Sequence, residues 1–131
     1  MRLDIYISTD VCSPRKKHGT YFARWIGYGS AGEKLGEDGT TVSEYDNEYG
    51  MLVRALKDAT SHINVSVRPE VRICCTNRVI GQSIKQIRTW EKRGFKKRNG
   101  GELSHCEDWK FIAHMLHGLY YRVDGGASNG S

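Results

Sequence analysis

No apolar run in this chain approaches the ~20 residues that a membrane-crossing helix needs. The N-terminal MRLDIYISTD has acids within its apolar stretch and no small-residue cleavage site, so no secretory leader is expected. The default compartment is therefore cytoplasmic, the cytoplasm of an infected host included. Cysteine is sparse, at Cys12, Cys74, Cys75 and Cys106, and no two form a C-x-x-C pair. Cys74 and Cys75 are adjacent, so on a strand they point to opposite faces and cannot serve one metal. The glycine-rich run GYGSAGEKLGEDG lacks the Gly-Lys-Ser/Thr ending of a phosphate loop. No Ser-His-Asp or Cys-His signature has local support. Proline occurs only twice, and there is no internal repeat or linker.

What is present suits one domain. The chain has 131 residues, of which 38% are hydrophobic and 10% aromatic, enough to build a core. Its net charge is +5, and the distribution says more than the total. Between residues 85 and 98 stand Lys85, Arg88, Lys92, Arg93, Lys96, Lys97 and Arg98 against a single acid, Glu91. The rest of the chain is close to neutral. A concentrated basic patch on a near-neutral body is the footprint of a polyanion site. The alternative is a solvated helix face.

Periodicity predicts the elements. Leu3, Ile5 and Ile7 share one face of a strand over 3–9. A basic turn over 11–19 leads to a second strand over 20–29. A short third strand lies within 30–39, and 40–42 extend it. Ser43 offers a helix N-cap, followed by Glu44, Asp46 and Glu48. Met51, Leu52, Ala55, Leu56 and Ala59 then recur at helical spacing, so a helix over 43–60 is expected. After a loop over 61–69, a strand over 71–76 is expected to be buried on both faces. A helix over 79–93 carries Ile80, Ile84, Ile87 and Trp90 inward, and a basic loop follows. Ser104, with Glu107 three residues on, caps a helix over 104–117 that ends at Gly118. Residues 119–123 form a last strand. One domain over 1–123 and a mobile tail over 124–131 are expected.

This order, with particular residues at particular places, resembles type 1 ribonuclease H over essentially the whole chain. Ser8-Thr9-Asp10 resembles the end of that family's first strand, which carries its first catalytic Asp. TTVSEYDNEYGMLVRAL is similar to its first long helix, where Glu48 would be the second carboxylate. ICCTNRVIGQSI resembles the strand-to-helix corner that normally holds the third, and here the residue is Asn77. IRTWEKRGFKKRNGGELSHCEDWKFI is similar to the family's basic protrusion and the helix after it, opening with Asp108 and Trp109. The resemblance implies an α/β, ribonuclease H-like fold: a five-stranded mixed sheet, three antiparallel strands followed by parallel additions, flanked by helices. It implies metal-dependent hydrolysis of the RNA strand of an RNA–DNA hybrid.

On that reading Asp10 and Glu48 hold Mg²⁺ or Mn²⁺, with Asn77 as a weak neutral third ligand at the catalytic centre. Metal affinity is expected to be weakened. The family's final helix, which carries a fourth carboxylate, is expected to be absent, and Gly126 falls where a His would stand. Asp46 and Asp124 are possible substitute carboxylates. A partner subunit donating a carboxylate is another route; otherwise a monomer is expected. Arg88, Lys92, Arg93, Phe95, Lys96, Lys97 and Arg98 would bind the hybrid or another duplex nucleic acid through phosphates and shape. Trp90 and Phe95 are equally suited to packing that pins the basic loop. Arg15, Lys16 and Lys17 would add phosphate contacts or form an ordinary charged turn. His105, Cys106, His114 and His117 share one helix but are not spaced to close a zinc tetrahedron. The alternative function is a catalytically inactive module that binds hybrid or double-stranded RNA.

Overall fold

The computed structural model describes residues 1–97 and 99–125. Five strands form one sheet in the order β3-β2-β1-β4-β5. β1 (Arg2–Thr9) pairs antiparallel with β2 (Lys17–Tyr28), which pairs antiparallel with β3 (Lys34–Asp46). β4 (Glu70–Cys74) lies parallel to β1 on its other side, and β5 (Tyr121–Val123) lies parallel to β4. The helices are α1 (Glu48–Thr60), α2 (Arg78–Lys85), α3 (Ile87–Lys92) and α4 (Cys106–Leu116). This is the mixed sheet that the resemblance implied.

One face of the sheet is covered. Ile5 and Ile7 of β1, Tyr21, Ala23 and Trp25 of β2, and Val71 and Ile73 of β4 pack on one side with Met51, Leu52, Ala55, Leu56 and Ala59 of α1. Trp109, Ile112, Ala113 and Leu116 of α4 extend that core behind α1. The alternating strands and the inner helix faces behave as their periodicity predicts, because one apolar face per element must find a partner.

Several boundaries differ from expectation. Ser43 does not cap a helix: it pairs with Thr20, and β3 runs on to Asp46 opposite Lys17. The sheet ladder outcompetes a short helical turn there, so Glu44 and Asp46 sit on a strand and Asn47 takes the cap, accepting from Gly50 N–H at 2.8 Å. The helix expected over 79–93 is two, with Gln86 at the break donating N–H to Ser83 O at 3.0 Å. Ser104 is not a cap either. His105 occupies that position in a left-handed conformation, φ +58°, with no side-chain cap bond.

β4 is not buried on both faces. Val71 and Ile73 are buried, but the alternate residues Arg72 and Cys74 open onto the other face of the sheet. Arg72 is an ionic hub there. It donates to Asp4 at 3.0 Å, to Asp124 at 2.8 Å and to the Tyr6 hydroxyl at 3.3 Å, while Arg2 holds the other Asp4 oxygen at 2.9 Å. Asp4 is 1% exposed, so its charge depends on these partners. Arg72→Met is expected to cost ~3 kcal/mol, because it strips a buried carboxylate of one guanidinium. A urea melt measures this, and a loss below ~0.5 kcal/mol would mean that Arg2 alone suffices.

Asp124 is tied to the body at the point where the tail was expected to begin. Its N–H donates to Ile73 O at 2.8 Å. Residues 126–131, the rest of that tail with Gly126, lie outside the described residues.

Candidate active site

The carboxyl ends of β1 and β4 and the first turn of α1 meet at one end of the sheet. Glu48 opens α1, and its N–H donates to Ser13 O at 2.9 Å. Asn47 Nδ2 donates to Pro14 O at 3.2 Å. The turn between β1 and β2 is therefore anchored to the start of α1, which places the cations Arg15, Lys16 and Lys17 at the same end. All three are exposed.

Asn77 stands at the end of β4 and does two things at once. Its Oδ1 accepts the N–H of Ile80 at 2.9 Å, capping α2. Its Nδ2 donates to Glu48 Oε2 at 2.8 Å. The cap decides the orientation, since an N–H needs an acceptor and only the oxygen can accept. The structure thus joins Glu48 and Asn77, as the family register suggested. It does not turn an oxygen ligand toward Glu48, as expected of a weak third ligand. It turns an N–H donor.

Asp10 follows β1. Its Oδ1 accepts the Thr20 N–H at 2.8 Å, and its own N–H donates to Thr20 O at 3.2 Å. It is exposed, with one carboxylate oxygen engaged in the hairpin. Among the described residues no three His, Cys, Asp or Glu side chains gather into a metal-binding group.

The substitute carboxylates are held elsewhere. Asp46 is 3% exposed and accepts from Asn47 N–H at 2.8 Å and Arg54 Nε at 3.1 Å. Burial pushes its carboxyl up, but the Asn47 N–H and the Arg54 guanidinium outweigh burial and hold it below the usual carboxylate range. Asp124 faces Arg72.

The donor set limits what can bind. Two carboxylates can hold one hard cation whose remaining positions are filled by water and phosphate oxygens. At the third position Asn77 presents an N–H to Glu48 and not an oxygen.

The basic segment forms a tight projection. Phe95 takes a left-handed φ of +62° and donates N–H to Trp90 O at 2.7 Å. Lys96 then bridges Glu102, and Lys97 N–H donates to Gly101 O at 2.7 Å. Trp90 is buried, edge-on to Trp109 at 5.4 Å, and Phe95 packs against the core. Both aromatics pin the loop, Trp90 from within the core and the half-buried Phe95 from its edge. Lys92, Arg93, Lys96 and Lys97 are exposed. Arg88 is exposed as well, with its guanidinium 5.4 Å from the Tyr121 ring centroid of β5. Arg98 lies outside the described residues.

One link escaped the sequence reading. Tyr49 OH is 2.9 Å from Ser83 Oγ and accepts Trp109 Nε1–H at 3.2 Å, joining α1, α2 and α4 beneath this projection. Nothing local signals it, since its members are 34 and 60 residues from Tyr49. The histidines do not converge: His105 is 3.6 Å from Asp108, His117 is 3.8 Å from Glu91, and His114 is exposed.

No family model matches the sequence, and no curated protein matches it. Solved structures match the fold. The RNase H domain of prototype foamy virus superposes with a TM-score of 0.65 at 15% identity, over 95% of this chain and 78% of that one. LC9-RNase H1, a type 1 RNase H with the type 2 active-site motif, gives 0.66 at 18% identity, over 95% and 63%. LC11-RNase H1, solved with an RNA/DNA hybrid, gives 0.51 at 21% identity, over 98% and 88%. This chain spans only 18% of the foamy viral protease-reverse transcriptase solved with an RNA/DNA hybrid. The chain has the ribonuclease H-like fold. No helix among the described residues is long and apolar enough to cross a membrane.

Proposed function

We propose that this chain is a ribonuclease H-like nuclease of RNA–DNA hybrids, with hydrolysis weakened at a reduced carboxylate site. The observation that carries the reading is the meeting of Glu48 and Asn77 at the end of β4, at the end of the sheet where β1 delivers Asp10. That is the register in which the resemblance places the reacting centre. Structural neighbours solved with RNA/DNA hybrid support a duplex ligand.

The division of labour follows from the side chains. Lys92, Arg93, Lys96 and Lys97 neutralise phosphates along one strand, with Arg15, Lys16 and Lys17 at the other side of the corner. Recognition is by the shape and ribose hydroxyls of an A-like duplex. Asn77 fixes the Glu48 carboxylate by charge-assisted hydrogen bonding. One Mg²⁺ or Mn²⁺ held by Asp10 and Glu48 would supply charge neutralisation at the phosphate.

The test is cleavage of a labelled hybrid with Mg²⁺ or Mn²⁺. Slow cleavage abolished by Asp10→Asn and by Glu48→Gln is expected. The N–H that Asn77 aims at Glu48 favours a second reading, an inactive module that binds hybrid or double-stranded RNA. Salt-sensitive binding without any cleavage would select that reading. In either case Lys96→Ala with Lys97→Ala is expected to lower the slope of log K against log salt by about 2. An unchanged slope would remove the basic projection from the interface.

A further inference from the structure

α2 leaves one face free beside the candidate active site. Ile80, Ser83 and Ile84 turn into the body of the protein. Arg78, Gly81, Gln82 and Lys85 recur at the three- and four-residue spacing of the other face. Two full turns bring Lys85 back in line with Arg78. That face is one wall of a hollow of 550 Å³, bounded opposite by the end of β5 and by Asp124. Thr76 and Asn77, which follow β4, complete the lining. The same Asn77 holds Glu48, so the hollow adjoins the corner where the candidate site lies.

The positive charge in this hollow is unspent. Arg78 and Lys85 are exposed, and neither has an ion-pair partner among the described residues. Arg24 and Arg72, by contrast, face carboxylates. The carboxylate in the lining, Asp124, is 2.8 Å from Arg72. Thr76 adds a hydroxyl and Gln82 an amide, both exposed. No aromatic ring lines the hollow, so a base finds nothing there to stack on. Two cations with a hydroxyl and an amide N–H suit an oxyanion instead.

We propose that Arg78 and Lys85 form a phosphate site for the strand that enters the candidate active site. The inference rests on the hybrid reading and adds a contact to it. A strand that brings one phosphodiester to Glu48 and Asn77 carries its next ones past the adjoining wall, and α2 is that wall. A corner with a neutral amide in place of a carboxylate attracts a metal ion less strongly. Arg78 and Lys85 supply positive charge beside it that does not depend on bound metal.

The test reads binding of the full chain to a fluorescein-labelled blunt RNA–DNA hybrid by anisotropy, in EDTA, over a range of salt. Arg78→Ala with Lys85→Ala is expected to weaken binding about tenfold and to lower the slope of log K against log salt by about 2. Arg78→Lys with Lys85→Arg keeps both charges and is expected to keep the slope. Lys34→Ala with Arg122→Ala removes the same charge outside the hollow and is expected to change neither quantity. In an isotope-labelled parent chain followed by NMR, the Gly81 and Gln82 amide resonances are expected to move as the hybrid is added. Thermal melts check folding. A folded Arg78→Ala with Lys85→Ala variant that keeps the parent's slope overturns the site, and so does an equal loss in the control pair. Gly81 and Gln82 resonances that stay in place while the hybrid binds overturn it whatever the variants do. Hybrid binding that responds to Lys96→Ala with Lys97→Ala but ignores the α2 pair sinks this inference alone. A chain that binds no hybrid sinks the reading beneath it as well.

Discussion

Asn77→Asp is expected to turn a corner that holds metal weakly into one that holds it strongly. Asp is as good an N-cap as Asn, so the bond to Ile80 N–H and the start of α2 survive. What changes is the 2.8 Å contact with Glu48, where a donor is exchanged for a second carboxylate. In EDTA the variant loses a hydrogen bond to a charged group and gains like-charge repulsion, at a cost of about 2 kcal/mol. That cost belongs to the ionised pair. The pair's carboxyl affinity for a proton is raised in the folded state, so the loss is full at neutral pH and shrinks as pH falls into the carboxylate range. Millimolar Mg²⁺ is expected to restore the melting temperature by binding the folded state alone. The parent chain is expected to respond far less. Hybrid cleavage is expected to rise at least tenfold with Mg²⁺. A variant whose melting is blind to Mg²⁺, with cleavage no faster than the parent's, would mean that this corner does not hold a cation.

Gly50→Ala is expected to destabilise the protein, against the usual rule. In a helix interior this change normally gains about 1 kcal/mol. Here a Cβ would sit 2.3 Å from Asp46 Cγ. Asp46 cannot swing away cheaply, because it is buried and bonded to Asn47 N–H and Arg54. The substitution must either displace that carboxylate or lift α1 from the end of β3. A loss of ~3 kcal/mol follows, roughly 10 °C in melting temperature. The pH profile gives an independent reading. Asp46 has a lowered carboxyl pKa in the folded state. It therefore adds stability above its unfolded value of about 3.9, and that share is lost as pH falls through the folded value. In Gly50→Ala the acid-side loss is expected to flatten. A variant as stable as the parent would show that Asp46 has another low-energy position.

The candidate site was legible in part. Asp10 and Glu48 stand out through their register with a family pattern, and the structure brings Glu48 to Asn77. The sequence also names Asn77 as the departure from that pattern. It does not say which end of the amide faces Glu48, because that depends on Ile80 N–H claiming the oxygen. The basic cluster was legible as charge. The separate fates of its members were not: Arg88 is drawn to Tyr121 and Phe95 to the core, both through partners distant in the chain.

The chain order of the five strands and the inner faces of β1, α1 and α4 were determined by the sequence alone. Apolar spacing is a local property, and an element with one apolar face must bury it. Tertiary structure decided where β3 gives way to α1, since Ser43 is claimed by a ladder partner 23 residues earlier. It also decided that β4 buries one face and not two. Its inner residues meet the α1 side of the sheet, while Arg72 gathers Asp4, Asp124 and Tyr6 on the open side. Long-range pairing and the geometry of hydrogen-bond donors are set by neighbours in space, and no spacing along the chain encodes them.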